Sequence, residues 1–335
     1  MKVGILGAGF MGSTHARAFH RVKDDTVSAI CAPSAERARP LADEVGARYV
    51  VSIEEIVGDP AIDAVDICLP TPMHRPAAEA ALAAGKHVLL EKPVALTLED
   101  ADALIAAADR SDRVVMMAHV LRFWPEYVAL REKIASGDFG KPVSALAYRR
   151  QAYPAWSTLF SRSDLTGGAV IDMMIHDFDA LNWVLGTPVS VAARGIINPT
   201  SGGYDQVQVL ITYENDASAM VDGGMMMPDT YPFTSSLQVL CESGAAEYQF
   251  RAGGRSLEEG EGVNALTFYP NEGAPEIAIC DPIDPYQAEI DYFSACVRDG
   301  VAADRATLAD AKLALRVALA ARESMASPKL TVVPL

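Results

Sequence analysis

The chain has 335 residues, half of them apolar, and carries 44 acidic against 28 basic residues for a formal net charge of −16. That length predicts two domains with sizeable cores. The charge, with no Lys/Arg cluster to offset it, excludes a protein that tracks nucleic-acid phosphates. No run of about 18 uncharged apolar residues occurs, so no membrane span is expected. The apolar start, MKVGILGAGFMG, is too rich in glycine for a secretory leader. Cys31, Cys68, Cys241, Cys280 and Cys296 are scattered, odd in number and without a C-x-x-C. They predict a reduced cytoplasmic protein, with neither a disulfide framework nor a zinc site.

In chain order, strand-like apolar runs fall at residues 3–6, 27–31, 64–69, 87–90 and 113–117, with helical patterns at 15–22, 35–45, 76–84 and 98–109 between them. This alternation predicts an α/β Rossmann-type domain, a doubly wound parallel sheet over residues 1–122. Residues 123–335 read as a second α/β domain with a large, mainly antiparallel open sheet. A helix is expected at 125–135, a strand at 143–150 and one long helix at 170–185. Strands follow at 189–197, 206–213, 217–222, 236–241 and 246–250, and two closing helices at 285–298 and 308–325.

The first strand runs directly into Gly7-x-Gly9-x-x-Gly12. Gly7 permits a tight turn, Gly9 lets a pyrophosphate approach the backbone, and Gly12 lets helix and strand pack closely. The following helix start, through Phe10 and Met11, offers N–H groups and a partial positive charge to that anion. Glycine triplets also occur in ordinary turns, but here strand and helix flank the loop as dinucleotide binding requires. At the end of the second strand, where an acid usually holds an unphosphorylated ribose, stand Ala32, Pro33 and Ser34. A small residue there leaves room for a 2′-phosphate within reach of Ser34, Arg37 or Arg39, so the reading is NAD(P) with NADP favoured over NAD.

Three further blocks join the glycine loop: Leu69-Pro70-Thr71-Pro72-Met73-His74, Gly85 to Pro93 with Glu91-Lys92-Pro93 at its end, and Gly167-Gly168 through Asp172 and His176 to Asp177. Together they resemble the Gfo/Idh/MocA oxidoreductases, the family of glucose-fructose oxidoreductase and the inositol dehydrogenases. The resemblance covers most of the first 190 residues. It implies a Rossmann domain followed by a large-sheet domain, and hydride transfer between NAD(P) and a secondary alcohol or ketone of a sugar, cyclitol or similar polyol. It also implies that Pro70, Thr71, His74 and Glu91 line the cofactor site, with Lys92 beside the nicotinamide and often followed by a cis peptide. Asp172 and His176 complete the catalytic group. His119 and Arg122 fall where the family places cleft residues, and Tyr153 and Trp156, with Asp164 and Tyr286, are candidates for contact with the substrate.

The chemistry suits these side chains. Oxidising an alcohol by hydride transfer needs a positioned acid/base, and a cation steadies the developing alkoxide. Lys92 ends a parallel strand, where ligands of open α/β sheets bind. Asp172 and His176, four apart, would share one face of a helix, so Lys92 and His176 handle the proton and Asp172 orients. No metal is expected, since Asp177 falls on another face from Asp172, His176 and Asp179. A non-carbohydrate substrate (a dihydrodiol, imine or bilin-like compound) and a catalytically silent dinucleotide-binding sensor remain as alternatives. An open sheet face carrying Val207, Val209, Ile211 and Val221 is expected to be covered by self-association into a homodimer or homotetramer.

Overall fold

In a computed structural model that describes residues 1–155, 157–253 and 262–335, the chain divides into two units. The first comprises residues 1–124 and 283–312, the second residues 125–282 and 313–335. The division near residue 122 expected from composition is followed by a second crossing, because the chain returns late to the first unit.

The first unit alternates β1 (Lys2–Leu6), α1 (Phe10–Arg21), β2 (Thr26–Cys31), α2 (Ala35–Val45), β3 (Arg48–Val50), α3 (Ile53–Val57), β4 (Ala64–Ile67), α4 (His74–Ala83), β5 (His87–Glu91), α5 (Leu98–Asp109) and β6 (Val115–Ala118). The six strands are all parallel, in the order β3-β2-β1-β4-β5-β6. Their side chains are buried almost without interruption, as a sheet covered on both faces requires. The order reverses between β1 and β4, and the carboxyl ends of strands at such a point leave a crevice for a ligand. Local chemistry marks the helix ends. Thr97 accepts the Asp100 N–H at the start of α5, and Gly46 closes α2 in the left-handed region.

The second unit begins with α6 (Pro125–Ala135) and β7 (Pro142–Ala152), then α7 (Ser163–Thr166), α8 (Ala169–Asp172) and α9 (Ile175–Leu185). Strands β8 (Pro188–Ile197), β9 (Tyr204–Tyr213), β10 (Ser218–Met227), β11 (Thr234–Cys241), β12 (Gly244–Arg251), β13 (Val263–Pro270) and β14 (Glu276–Ile277) follow. The chain closes with α10 (Pro285–Asp299), α11 (Leu308–Ala326) and β15 (Val332–Pro334). The nine strands run β14-β13-β12-β11-β7-β10-β9-β8-β15, antiparallel except for β7 against β10. Period-2 alternation puts Val207, Val209, Ile211 and Val221 on the buried face of this sheet. The open face instead carries Leu146, Met220 and Leu210, directly opposite one another across β7, β10 and β9, and all exposed. The expectation that the valine and isoleucine side chains wait for a partner is therefore corrected: they are covered within the unit, and the exposed apolar row belongs to the alternate residues.

The long helix expected over 170–185 is two helices. The Met174 N–H bonds to the Ala169 carbonyl, five residues back, at 2.9 Å, and the next regular bond is Phe178 to Met174 at 3.0 Å. One residue too many is thus accommodated between Asp172 and His176, a widening of the π type often found at functional positions.

α10 belongs to the first unit, where it packs on α1 with Phe19 and Phe293 edge to face at 6.3 Å. No helix among the described residues is long and apolar enough to cross a membrane.

Candidate active site

The glycine loop leaves β1 and enters α1 without a break, since α1 starts at Phe10 and not at the later residue its apolar pattern suggested. Gly7 has φ of +109°, and a Cβ there would lie 2.2 Å from the Cys68 carbonyl oxygen. A Cβ on Gly12 would meet the Gly7 carbonyl at 2.0 Å, so both positions are closed by the loop's own backbone. A Cβ on Gly9 would meet nothing within 4 Å. The open side of Gly9 is where a pyrophosphate would rest, and no side chain caps the α1 start that faces it. Phe10 is exposed beside it and Met11 partly so. The residues present therefore fit a dinucleotide.

At the end of β2, Cys31 and Ala32 are buried, while Ser34 occupies the N-cap of α2 with no side-chain hydrogen bond to the helix. Arg37 is exposed one turn into α2. Arg39 lies over the Tyr49 ring at 5.4 Å, and the Tyr49 hydroxyl donates to the Ala32 carbonyl at 3.0 Å. No carboxylate stands between Cys31 and Ser34.

Lys92 follows the last residue of β5, half-buried, and its peptide to Pro93 is cis. The turn is gripped from two sides. The Glu91 carboxylate accepts the Lys92 backbone N–H at 2.8 Å. On the other side His74 Nδ1 lies 2.9 Å from the Pro93 carbonyl and Nε2 lies 2.8 Å from the Leu69 carbonyl. Burial lowers the His74 pKa to about 4, so the imidazole is neutral and donates to one of the two carbonyls. His74 thus spends its ring on backbone and ties the turn bearing Pro70 and the buried Thr71 to the turn bearing Lys92. Lys86 is structural: its buried ammonium donates to the Asp59 and Ile62 carbonyls, each at 2.7 Å.

His119 and Arg122 are both buried just beyond β6. The Arg122 guanidinium donates to the Arg305 carbonyl at 2.8 Å and lies 3.2 Å from the Asp310 carboxylate. These bonds tie the end of the Rossmann sheet to the returning segment.

In the second unit, Gly167 and Gly168, with φ of +80° and +75°, turn the chain into α8, and buried Asp205 takes the Ala169 N–H at 3.0 Å. Asp172 ends α8 and His176 is the second residue of α9, both half-buried. The next residue, Asp177, is buried in a bidentate pair with Arg149 of β7, at 2.9 and 3.0 Å. Burial pushes the Asp177 carboxyl up while Arg149 pulls it down. Arg149 was missed as a site-supporting residue, although its phase marked it: it shares the inward set of β7 with Ala145 and Ala147. Tyr153 is half-buried, Asp164 is exposed and paired with Arg162, and Tyr286 lies in the first turn of α10. Trp156 lies outside the described residues.

Among the described residues, one group of potential metal ligands comes together, His15, Asp66 and Cys68, with ligand atoms within 4.8 Å of one another. Burial and the neighbouring Asp66 push the Cys68 thiol well above its ordinary range, so it is a neutral thiol and a poor metal ligand.

Comparison with known proteins gives the family. Residues 1–119 match the oxidoreductase family model with an NAD-binding Rossmann fold, and residues 127–247 match the GFO/IDH/MocA C-terminal domain. The inositol 2-dehydrogenase of Leifsonia xyli subsp. xyli is 30% identical over 259 residues, 76% of this chain and 74% of that one. The 1,5-anhydro-D-fructose reductase of Ensifer adhaerens is 36% identical over 54% of this chain and 56% of its own. The crystal structure of a putative myo-inositol dehydrogenase from Sinorhizobium meliloti 1021 superimposes with a TM-score of 0.81 at 26% identity, covering 100% of this chain and 99% of that one. The chain belongs to the GFO/IDH/MocA oxidoreductase family, with an NAD-binding Rossmann domain at its start.

Proposed function

We propose that the protein is an NAD(P)-dependent dehydrogenase or reductase that interconverts a secondary alcohol and a ketone on a sugar, cyclitol or similar polyol. The observation that carries this reading is the glycine loop: closed at Gly7 and Gly12, open at Gly9, and placed where the sheet order reverses, one strand from the turn bearing Lys92. The nicotinamide supplies the hydride acceptor or donor; the chain supplies orientation and proton handling. The backbone of Gly9 and the start of α1 hold the pyrophosphate. The Lys92 ammonium stabilises negative charge on the reacting oxygen, Lys92 and His176 handle its proton, and Asp172 orients that pair. The relatives named above support a polyol or anhydro-sugar substrate.

NADP is favoured over NAD because small, uncharged Ala32 ends β2 and Ser34 and Arg37 follow it. The exposed Leu146–Met220–Leu210 row supports self-association through the open sheet face. The test is turnover by the full chain with either cofactor, using myo-inositol, 1,5-anhydro-D-fructose and a wider set of polyols, keto-sugars and dihydrodiols. Reduction or oxidation of a polyol or keto-sugar is expected, with tighter binding of NADPH than NADH. Tight cofactor binding with no turnover across the set would favour the silent sensor. Turnover of dihydrodiols alone would move the substrate outside carbohydrates.

A further inference from the structure

Directly behind the Lys92 turn lies a cluster that the hydride-transfer chemistry does not use. His15 of α1 is fully buried, and three carboxyl groups from three other elements converge on its ring. Asp66 of β4 lies at 3.1 and 3.2 Å from Nδ1. Glu91 of β5 and Glu289 of α10 approach Nε2 at 3.6 and 3.8 Å. The Cys68 sulfur, just past β4, completes the surround at 3.5 Å from Nδ1. Among the described residues neither Glu289 oxygen nor His15 Nε2 makes a hydrogen bond, and Glu289 also feels the charges of Glu91 and Asp66.

An imidazole hydrogen-bonded to a carboxylate at Nδ1, with two more carboxyl groups within ion-pair distance of Nε2, is favoured as the cation. Burial by itself would lower the His15 pKa, but Asp66, Glu91 and Glu289 outweigh it and hold the ring at about 9. One cation cannot balance three anions, and burial raises Glu289 well above the ordinary carboxylate range. Burial raises Glu91 as well, against the pull of His15 and then Lys92. Glu91 is thus shared between the imidazolium and the turn, because its other oxygen accepts the Lys92 backbone N–H.

We propose that His15 is a positioning residue for Lys92: its imidazolium fixes the Glu91 carboxylate, and that carboxylate fixes the backbone from which the Lys92 side chain projects. The proposal rests on the reading of Lys92 as a catalytic group. It makes α1 serve two ends, its start facing the dinucleotide phosphates and its second turn anchoring the lysine that faces the substrate. Asp66 holds the imidazolium at Nδ1, the side that Glu91 does not reach, and neutral His74 secures the same turn through the Pro93 carbonyl.

The experiment follows hydrogen exchange at the Lys92 amide in the full-length protein, with each rate corrected for its intrinsic pH dependence. In the wild type, protection of this amide is expected to drop at least tenfold as pH rises through about 9, while amides of β1 stay protected. His15→Gln is expected to lose that protection already at pH 7. Glu91→Gln, which keeps an acceptor oxygen, loses less than Glu91→Ala. With the polyol that the wild type turns over, His15→Gln and Glu91→Gln should lower kcat at least tenfold with KM and NADPH affinity within threefold, and should flatten the alkaline limb of the kcat profile. Loss of thermal stability with kcat, KM and pH profile unchanged would reduce the cluster to a structural role and overturn the proposal. So would a Lys92 amide indifferent to pH and to both substitutions, or stoichiometric zinc in the purified protein. A fully active Lys92→Ala would overturn the functional reading instead, while the exchange result at residue 92 would still stand. The wild-type titration needs no variant and decides the matter even where His15→Gln does not fold.

Discussion

Lys92 follows a buried strand, with its backbone held by Glu91 and the next residue, Pro93, held by His74, so the turn from which its side chain projects is fixed. Lys92→Ala should therefore cut kcat by about 10²–10⁴, the usual share of a general acid/base or charge-stabilising group. Cofactor affinity should stay within about tenfold, because the proposed phosphate contacts are backbone groups; steady-state kinetics and NADPH titration check both. Gly7 and Gly9 differ in the same way. Gly9→Ala adds a methyl to open space in an extended backbone, so unfolding free energy should hold within about 1 kcal/mol while NADPH affinity falls. Gly7→Ala forces a Cβ onto the Cys68 carbonyl at positive φ, costing about 2–4 kcal/mol in denaturant unfolding.

At the scale of elements, the Arg149–Asp177 pair fastens β7 to the first turn of α9, one residue from His176. Arg149→Met would leave Asp177 buried and unpaired, a loss of about 3–5 kcal/mol measured by denaturant titration. How far sequence alone reveals such features depends on length and phase. β1, β2, β4 and β5 are legible within a residue or two because covered parallel strands read as unbroken apolar runs. β3, β14 and β15, with two or three residues each, are too short to show a period. The widened turn at Met174 is invisible because Ile171, Met174, Ile175 and Phe178 keep a regular helical stripe through it. Glu289 reads as a surface acid, yet it lies four residues before Phe293 and seven before Cys296, on the face that α10 buries. The glycine loop and Lys92 were legible because their chemistry is local; Arg149 and Glu289 take their meaning from partners distant in sequence.

For the whole molecule, two histidines shape the response to pH in opposite directions. His15 is raised from 6.5 to about 9, so the folded chain holds that proton longer than the unfolded one, and stability declines as pH rises from 6.5 through 9. His74 is lowered from 6.5 to about 4, so the unfolded chain takes up the proton first and stability declines as pH falls from 6.5 through 4. Each limb is worth about 3 kcal/mol. Burial raises Glu289 and Glu91 as well, so both favour the folded state less as pH rises. A stability maximum near pH 6 is expected in chemical unfolding, with His74→Gln flattening the acid limb alone. Met220→Lys, placed in the middle of the exposed row, should convert an oligomer to monomers in sedimentation without changing the monomer's Tm by more than about 3 °C.

The return of α10 to the first unit has a consequence for the order in which the protein can be finished during synthesis. Phe19 and His15 are enclosed by Phe293 and Glu289, which leave the ribosome only after some 270 further residues have been made. The nascent N-terminal half must wait, one flank of α1 uncovered, while the other unit's strands emerge and pair. A chaperone that shields that flank would find its work ending when α10 arrives, and a chain stopped at residue 124 would keep the flank bare and aggregate.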